Sequence, residues 1–205
     1  MHPNLAFRQT PQERNIAFAR EQGFGILAVG TEAAPLMSHI PFLLSEDGKI
    51  AEFHLVRSNP IARRMSDPMQ ASLAISGPHS YVSPDWYEVE DQVPTWNYIA
   101  VHLVGEIERR PQEEMHNLLD RQSAHFEDQL LPKPPWLTAK MTPDVLTKMM
   151  RQIVPCRMRV SEIHGTWKLN QNKADEVRLR AADQLEHADM GVQTNVLARH
   201  MRDLP

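Results

Sequence analysis

Apolar residues fall on every second position in several short runs of this chain, a period that dictates strands burying one face. Ile40, Phe42 and Leu44 alternate in this way, as do Ala71, Leu73 and Ile75 against Ser72, Ala74 and Ser76. Met158 and Val160 alternate with Arg157 and Arg159. Turn residues bound the runs at Gly30–Pro35 and at Ser45-Glu46-Asp47-Gly48, which reads as a hairpin turn. Strands are therefore expected at Phe24–Val29, Leu36–Leu44, Lys49–Val56, Ala71–Ser76, Asn97–Arg109 and Cys156–Ile163. Pro41 lies inside the second of them. Proline donates no ladder hydrogen bond, so an edge, a bulge or a break is expected there.

Helices are marked by their ends. Thr10-Pro11-Gln12-Glu13 offers a capping hydroxyl, a proline for the first helical position and an early glutamate, and Gly23 is a natural stop. Ser58 or Asn59 caps a second helix, with Pro60 at its first position and an end near Asp67-Pro68. Met115, Leu118, Leu119 and Phe126 share one face of a helix over about Glu113–Leu130, and Val145, Leu146, Met149 and Met150 mark another over Thr142–Ile153. Pro132–Pro135 form the loop between them, and Gly77–Thr95 reads as a long irregular stretch. Antiparallel strands with short turns and covering helices predict an α+β protein built on a small barrel. One domain over residues 1–173 is expected, with residues 174–205 a helical C-terminal extension packed on it.

Composition closes off several classes. No apolar run approaches the roughly 20 residues that span a bilayer, and the Met1-His2-Pro3-Asn4 start lacks the basic-then-apolar pattern of a signal peptide. Cys156 is the only cysteine, which removes an intrachain disulfide framework and fits a reducing, cytoplasmic setting. A net charge of −4 with no dense basic run gives nucleic-acid binding no support. Ten histidines invite a metal reading. No pair has metalloprotease spacing and no acidic partner sits at ligand spacing, so no metal site is expected.

Three segments are candidates for chemistry. In Glu52–Pro60 a strand runs into a helix start, where unpaired N–H groups and the helix dipole favour an anion. Arg57 and Ser58 lie at that start, His54 just upstream, and Arg63 and Arg64 in the first turns. An ordinary capped helix with solvated arginines explains the same residues and is the commoner case. In Gly77–Tyr98 fall two of the four tryptophans and all three tyrosines. That density serves a ligand pocket, a subunit interface or plain loop packing equally well. Gly165–Lys173 is rich in donors after a strand, and reads also as a polar strand extension with one packed indole.

Taken in order, five segments resemble the PaiB family of the FMN-binding split-barrel superfamily, described as negative transcriptional regulators. They are His39-Ile40-Pro41-Phe42-Leu43-Leu44, His54-Leu55 through Ser58-Asn59-Pro60, Gly77-Pro78-His79-Ser80-Tyr81-Val82-Ser83-Pro84, Val93-Pro94-Thr95-Trp96-Asn97-Tyr98 and Trp167-Lys168-Leu169-Asn170-Gln171-Asn172. The resemblance runs from about Phe7 to Lys173. It implies a six-stranded antiparallel split barrel with peripheral helices, forming a homodimer with FMN at the protomer interface. It implies Ser38, His39, Ile40 and Pro41 along the flavin ring, and His54, Arg57, Ser58 and Asn59 at the phosphate. Trp96, Asn97, Trp167 and Lys168 are the candidates by which the partner closes the site.

Three functions follow from that resemblance. An FMN-dependent oxidoreductase or flavin-reductase-like protein needs no protein acid, base or nucleophile of its own, and none stands out here. A negative transcriptional regulator with flavin as effector is the second, although the two mid-chain helices are separated by far more than a helix-turn-helix allows. A haem-binding or haem-degrading barrel, with His39, His54 or His102 as axial ligand, is the third.

Overall fold

A computed structural model describes residues 2–204 of the chain. Its contacts gather into two compact units. The first comprises the chain up to Gln22, Ala74–His102 and everything from Ile163 onward; the second comprises Gly23–Leu73 and Leu103–Glu162. Among the described residues, no helix is long and apolar enough to cross a membrane.

The second unit is built on antiparallel strands. Strand β1 (Phe24–Val29) pairs with β2 (Leu36–Pro41), setting Gly25 opposite Ile40 and Leu27 opposite Ser38. The short β3 (Leu43–Leu44) turns through Ser45–Gly48 into β4 (Ile50–Val56) and pairs back on it. Helix α2 (Pro60–Arg64) follows, and then β5 (Met69–Val82), β6 (Thr95–Arg109), helices α3 (Met115–Glu127) and α4 (Pro143–Met150), and β7 (Ile153–Lys168). The start of β7 pairs with β4, with Phe53 opposite Cys156. The hydrogen-bonded order is β2-β1-β5-β6-β7-β4-β3. Its two ends, β2 and β3, are separated in the chain by Phe42 alone, so the sheet of this unit has to curl back on itself. Phe42 secures that corner: its N–H donates to the Gly23 carbonyl at 2.8 Å and its ring is buried. Leu27, Phe53, Leu55, Leu73, Leu103, Ile107 and Met158 fill the interior, each contributing on the order of 1.5–3 kcal/mol by leaving water.

The first unit carries helix α1 (Gln12–Gln22) and the tail, which folds as α5 (Asp175–Glu186), the two-residue β8 (Gly191–Val192) and α6 (Thr194–Arg202). Helix α1 approaches the strands at two glycines. A Cβ on Gly77 would meet Phe18 Cζ at 2.4 Å, and one on Gly165 would meet Asn15 Oδ1 at 2.0 Å. The buried Arg178 on α5 donates to the Met201 and Arg202 carbonyls at the end of α6 and pairs with Asp175 at 2.8 Å. The tail is thus built into this unit.

Among the described residues eight strands stand in place of the expected six, for two reasons. The predicted Leu36–Leu44 strand divides at Phe42, one residue after Pro41, into β2 and β3, and the tail adds β8 against β5, Gly191 opposite Ser80. The predicted loop after Gly77 is a second correction: Gly77–Val82 continues β5, and irregular structure begins only at Ser83.

Candidate functional site

Strand β2 stands at one end of the sheet order, so no strand among the described residues pairs with its outer edge. Ile40 is buried in the core, whereas Met37 and His39 face outward and Ser38 and Pro41 are half-buried. The His39 ring stacks on Phe24 at 6.3 Å. A strand in this position offers unpaired backbone donors and acceptors beside a mixed polar and apolar face.

The turn after β4 is fixed to this strand. Asn59 caps α2 by accepting from the Ile61 N–H at 2.9 Å, and its Nδ2 donates to Ser38 Oγ at 3.0 Å. One side chain therefore holds both the helix start and the edge strand. Ser58, Arg63 and Arg64 are exposed around that turn. Arg57 is largely committed elsewhere: its Nε donates to the Arg151 carbonyl at 3.0 Å, and its Nη2 to Gln112 Oε1 at 2.9 Å and the Ile153 carbonyl at 3.3 Å. Arg109 likewise donates to the Ala62 carbonyl inside α2. The predicted set Ser38, His39, Ile40, Pro41, Ser58 and Asn59 is brought together in the second unit, with Arg57 anchoring the turn through backbone carbonyls.

His54 turns from this turn toward α3. It lines a cleft with Pro41, Gln122 and Phe126, and both His54 Nδ1 and the amide Nε2 of Gln122 are buried without a hydrogen-bond partner. Burial holds the imidazole below the ordinary histidine range, against a smaller opposing effect of a side-chain hydrogen bond with Gln122. Gln122 carries no sequence signal, because it is a polar residue on a helix whose exposure only the packing reveals.

The four residues assigned to the partner-closing role lie in the first unit. Trp96 is 44% exposed and forms an aromatic face with His79 at 6.2 Å and Tyr81 at 6.4 Å between ring centres. His79 and Tyr81 were hidden in the segment read as a loop; strand alternation through β5 is what aligns them. Asn97 is fully buried, its amide donating to Met201 Sδ at 3.4 Å while its Oδ1 has no partner. Lys168 donates to Thr95 Oγ1 and lies 5.8 Å above the Phe7 ring, and burial followed by the charge of Lys173 lowers its pKa.

Trp167 is likewise internal to this unit. It is 1% exposed, and its indole N–H donates to Asn15 Oδ1 at 2.8 Å. The rest of its motif is equally internal. Gln171 donates to the Trp167 carbonyl at 2.6 Å and the Ala6 carbonyl at 3.2 Å, while Asn170, at φ 62°, donates to the Tyr87 hydroxyl at 3.2 Å. Trp167 and Asn97 present no free face in this chain. The Trp167 indole N–H is spent on Asn15 and the Asn97 amide N–H on Met201 Sδ, while Asn97 Oδ1 stays unpartnered. Cys156 is no nucleophile either, since burial pushes its thiol up to about 12.

Solved structures with the same architecture include the FAD and haem binding protein from Mycobacterium smegmatis and the flavocytochrome Anf3 from Azotobacter vinelandii. The first aligns with a TM-score of 0.59 at 14% identity, covering 83% of this chain and 78% of that one. The second aligns with a TM-score of 0.56 at 11% identity, over 82% and 72% respectively. At such identities the likeness is one of fold, and the curled antiparallel sheet with its covering helices is of the split-barrel class. Residues 1–162 match the family described as "Putative FMN-binding domain", and the chain belongs to that family. "Protease synthase and sporulation protein PAI 2" of Bacillus subtilis (strain 168) is 28% identical over 204 residues, covering 97% of this chain and 93% of that protein. The PaiB resemblance read from the five segments is borne out.

Proposed function

We propose that this chain binds FMN along β2 and the start of α2, and serves as an FMN-dependent redox protein that works as a homodimer. The observation that carries the reading is the Asn59–Ser38 hydrogen bond of 3.0 Å. It couples the strand suited to the flavin ring to the turn suited to the phosphate. When bound, flavin supplies hydride and electron transfer. The protein's own contribution is placement. The free edge of β2 offers backbone groups to the polar rim of the ring, and Pro41 ends that strand where the ring would lie. Ser58 presents a hydroxyl to the phosphate, and Arg63 and Arg64 make that surface cationic. Arg57 acts by bracing the turn. The exposed aromatic face at Trp96 is the surface by which the partner subunit closes the site.

Titration of the purified protein with FMN, followed by absorbance and by flavin fluorescence quenching, tests this reading. Saturable one-to-one binding is expected, with riboflavin bound more weakly because it lacks the phosphate. Ser58→Glu sets a carboxylate against the phosphate and is expected to weaken FMN while leaving riboflavin unchanged. Equal losses for both would remove the phosphate from this turn. A Soret band in the protein as purified would favour haem instead, and a monomer that binds FMN normally would remove the shared site.

A further inference from the structure

Under α3 and α4 of the second unit lies a cavity of about 360 Å³, lined by apolar side chains that include Leu119, Trp136, Met141, Leu146, Met149 and Ile153. It is contiguous with the cleft at His54 and Gln122, with which it shares Leu119, Ser123 and Trp136. That volume falls in the range of small-molecule sites, and methionines adapt to planar ligands. Gln122 is 5% exposed, and its Nε2 has no hydrogen-bond partner; neither does His54 Nδ1 across the same cleft. An unmet buried amide donor is destabilising unless something supplies an acceptor. The one carboxylate in the wall, Glu127, is spent: it pairs with Lys133 and accepts from the Trp136 backbone N–H at 2.8 Å. With Glu127 paired to Lys133, no unpaired carboxylate in the wall calls for a cationic ligand.

We propose that this cavity is a binding site for a neutral, mainly aromatic small molecule whose carbonyl-type oxygen accepts a hydrogen bond from Gln122. The apolar chamber takes the ring system, and the cleft takes the oxygen. The site stands independently of the flavin reading. Pro41 and His54 border it, so a molecule held there would sit beside the strand assigned to flavin.

The test uses 6-propionyl-2-dimethylaminonaphthalene, an aromatic ketone whose emission reports both apolar surroundings and hydrogen bonding at its carbonyl. The full chain is expected to bind it saturably at one site with a blue-shifted emission, with or without FMN present. Leu146→Trp fills the chamber and is expected to abolish binding. Should that variant lose its far-ultraviolet circular dichroism, Met149→Trp, at a rim position 57% exposed, serves in its place. Gln122→Leu keeps the volume and removes the donor. It is expected to weaken the ketone by about threefold to tenfold while leaving 2-dimethylaminonaphthalene, which lacks the carbonyl, unchanged. Binding that ignores the filling variant, or equal losses for both probes in Gln122→Leu, would overturn the assignment. Competitive displacement by FMN would make the cavity part of the flavin site. Loss of the probe as the protein is concentrated would show a second copy covering it. Either result overturns the proposal, while FMN binding itself is read separately from flavin absorbance.

Discussion

Replacing Trp167 by phenylalanine separates the scaffold from the cofactor site. The wild-type indole donates to Asn15 Oδ1 at 2.8 Å, and Asn15 is itself buried, with its Nδ2 shared between the Thr10 and Pro11 carbonyls at 3.3 Å each. Phenylalanine leaves Asn15 Oδ1 buried without a donor, at a cost of about 1–3 kcal/mol. It also surrenders part of a ring packed against Phe18 and His200 and lying under the Arg14 guanidinium. By area that loss is roughly 2 kcal/mol. Together these predict a destabilisation of about 3–5 kcal/mol, which for a chain of this size lowers Tm by roughly 6–20 °C. Urea unfolding followed by far-ultraviolet circular dichroism measures the first quantity and a thermal scan the second. Flavin affinity, measured well below both melting points, is expected to be unchanged. A double-mutant cycle with Asn15→Ala sharpens the assignment, because both changes delete the same bond. The double variant should be more stable than the sum of the singles by about 1–3 kcal/mol. Strict additivity, or a loss of flavin affinity at full stability, would refute the scaffold role and restore Trp167 to the cofactor.

Ser38→Ala keeps the cap on Ile61 but removes the acceptor for Asn59 Nδ2, so flavin affinity should fall severalfold with little change in stability; an unchanged titration would break the link drawn between β2 and the turn. Burial holds His54, His102 and His200 below the ordinary 6.5, so the unfolded chain takes up their protons first. That stability is present above 6.5 and lost as the pH falls below it, and the urea midpoint should drop between about pH 7.5 and about pH 5.5, less steeply in His54→Gln. A midpoint that rises on acidification would contradict the sign. The Cys156 thiol, buried and pushed up to about 12, should resist a thiol reagent in the native protein and react fully in denaturant; rapid native labelling would show that the core opens there.

Much of this fold is written locally. The Thr10-Pro11 start and the Gly23 stop delimit α1, and Asn59-Pro60 starts α2 at the residue where the cap is found. The failures share one cause, contacts between residues distant in sequence. Gly77-Pro78 has the composition of a turn, yet it continues β5, because Gly77 is there to admit Phe18 rather than to bend the chain. Gly165 plays the same part for Asn15 within β7. Strand β8 rests on Ser80 Oγ reaching the Met190 carbonyl, a bond across 110 residues of chain that no local pattern announces. The bracing contacts of Arg57 are hidden from the sequence for the same reason, since the carbonyls it serves at Arg151 and Ile153 lie more than ninety residues away.

The motifs that carry the resemblance therefore divide by burial into two kinds. Gly77-Pro78 and Trp167-Lys168-Leu169-Asn170-Gln171 are inward-facing, and their polar atoms are largely consumed by Asn15, Tyr87, Ala6 and one another. Such residues need a fixed identity because a buried donor tolerates no partner of the wrong geometry, whether or not a cofactor is near. Ser38, His39, Ser58 and Trp96 keep polar or aromatic surface unspent, and only residues of this kind have anything to offer a ligand. A motif with strong identity and no free surface specifies the barrel; one with free surface specifies what the barrel holds. By that criterion the flavin reading rests on β2 and the turn at Ser58 and Asn59. The tryptophan of the last motif is bonded to Asn15 of α1, with its indole N–H already spent.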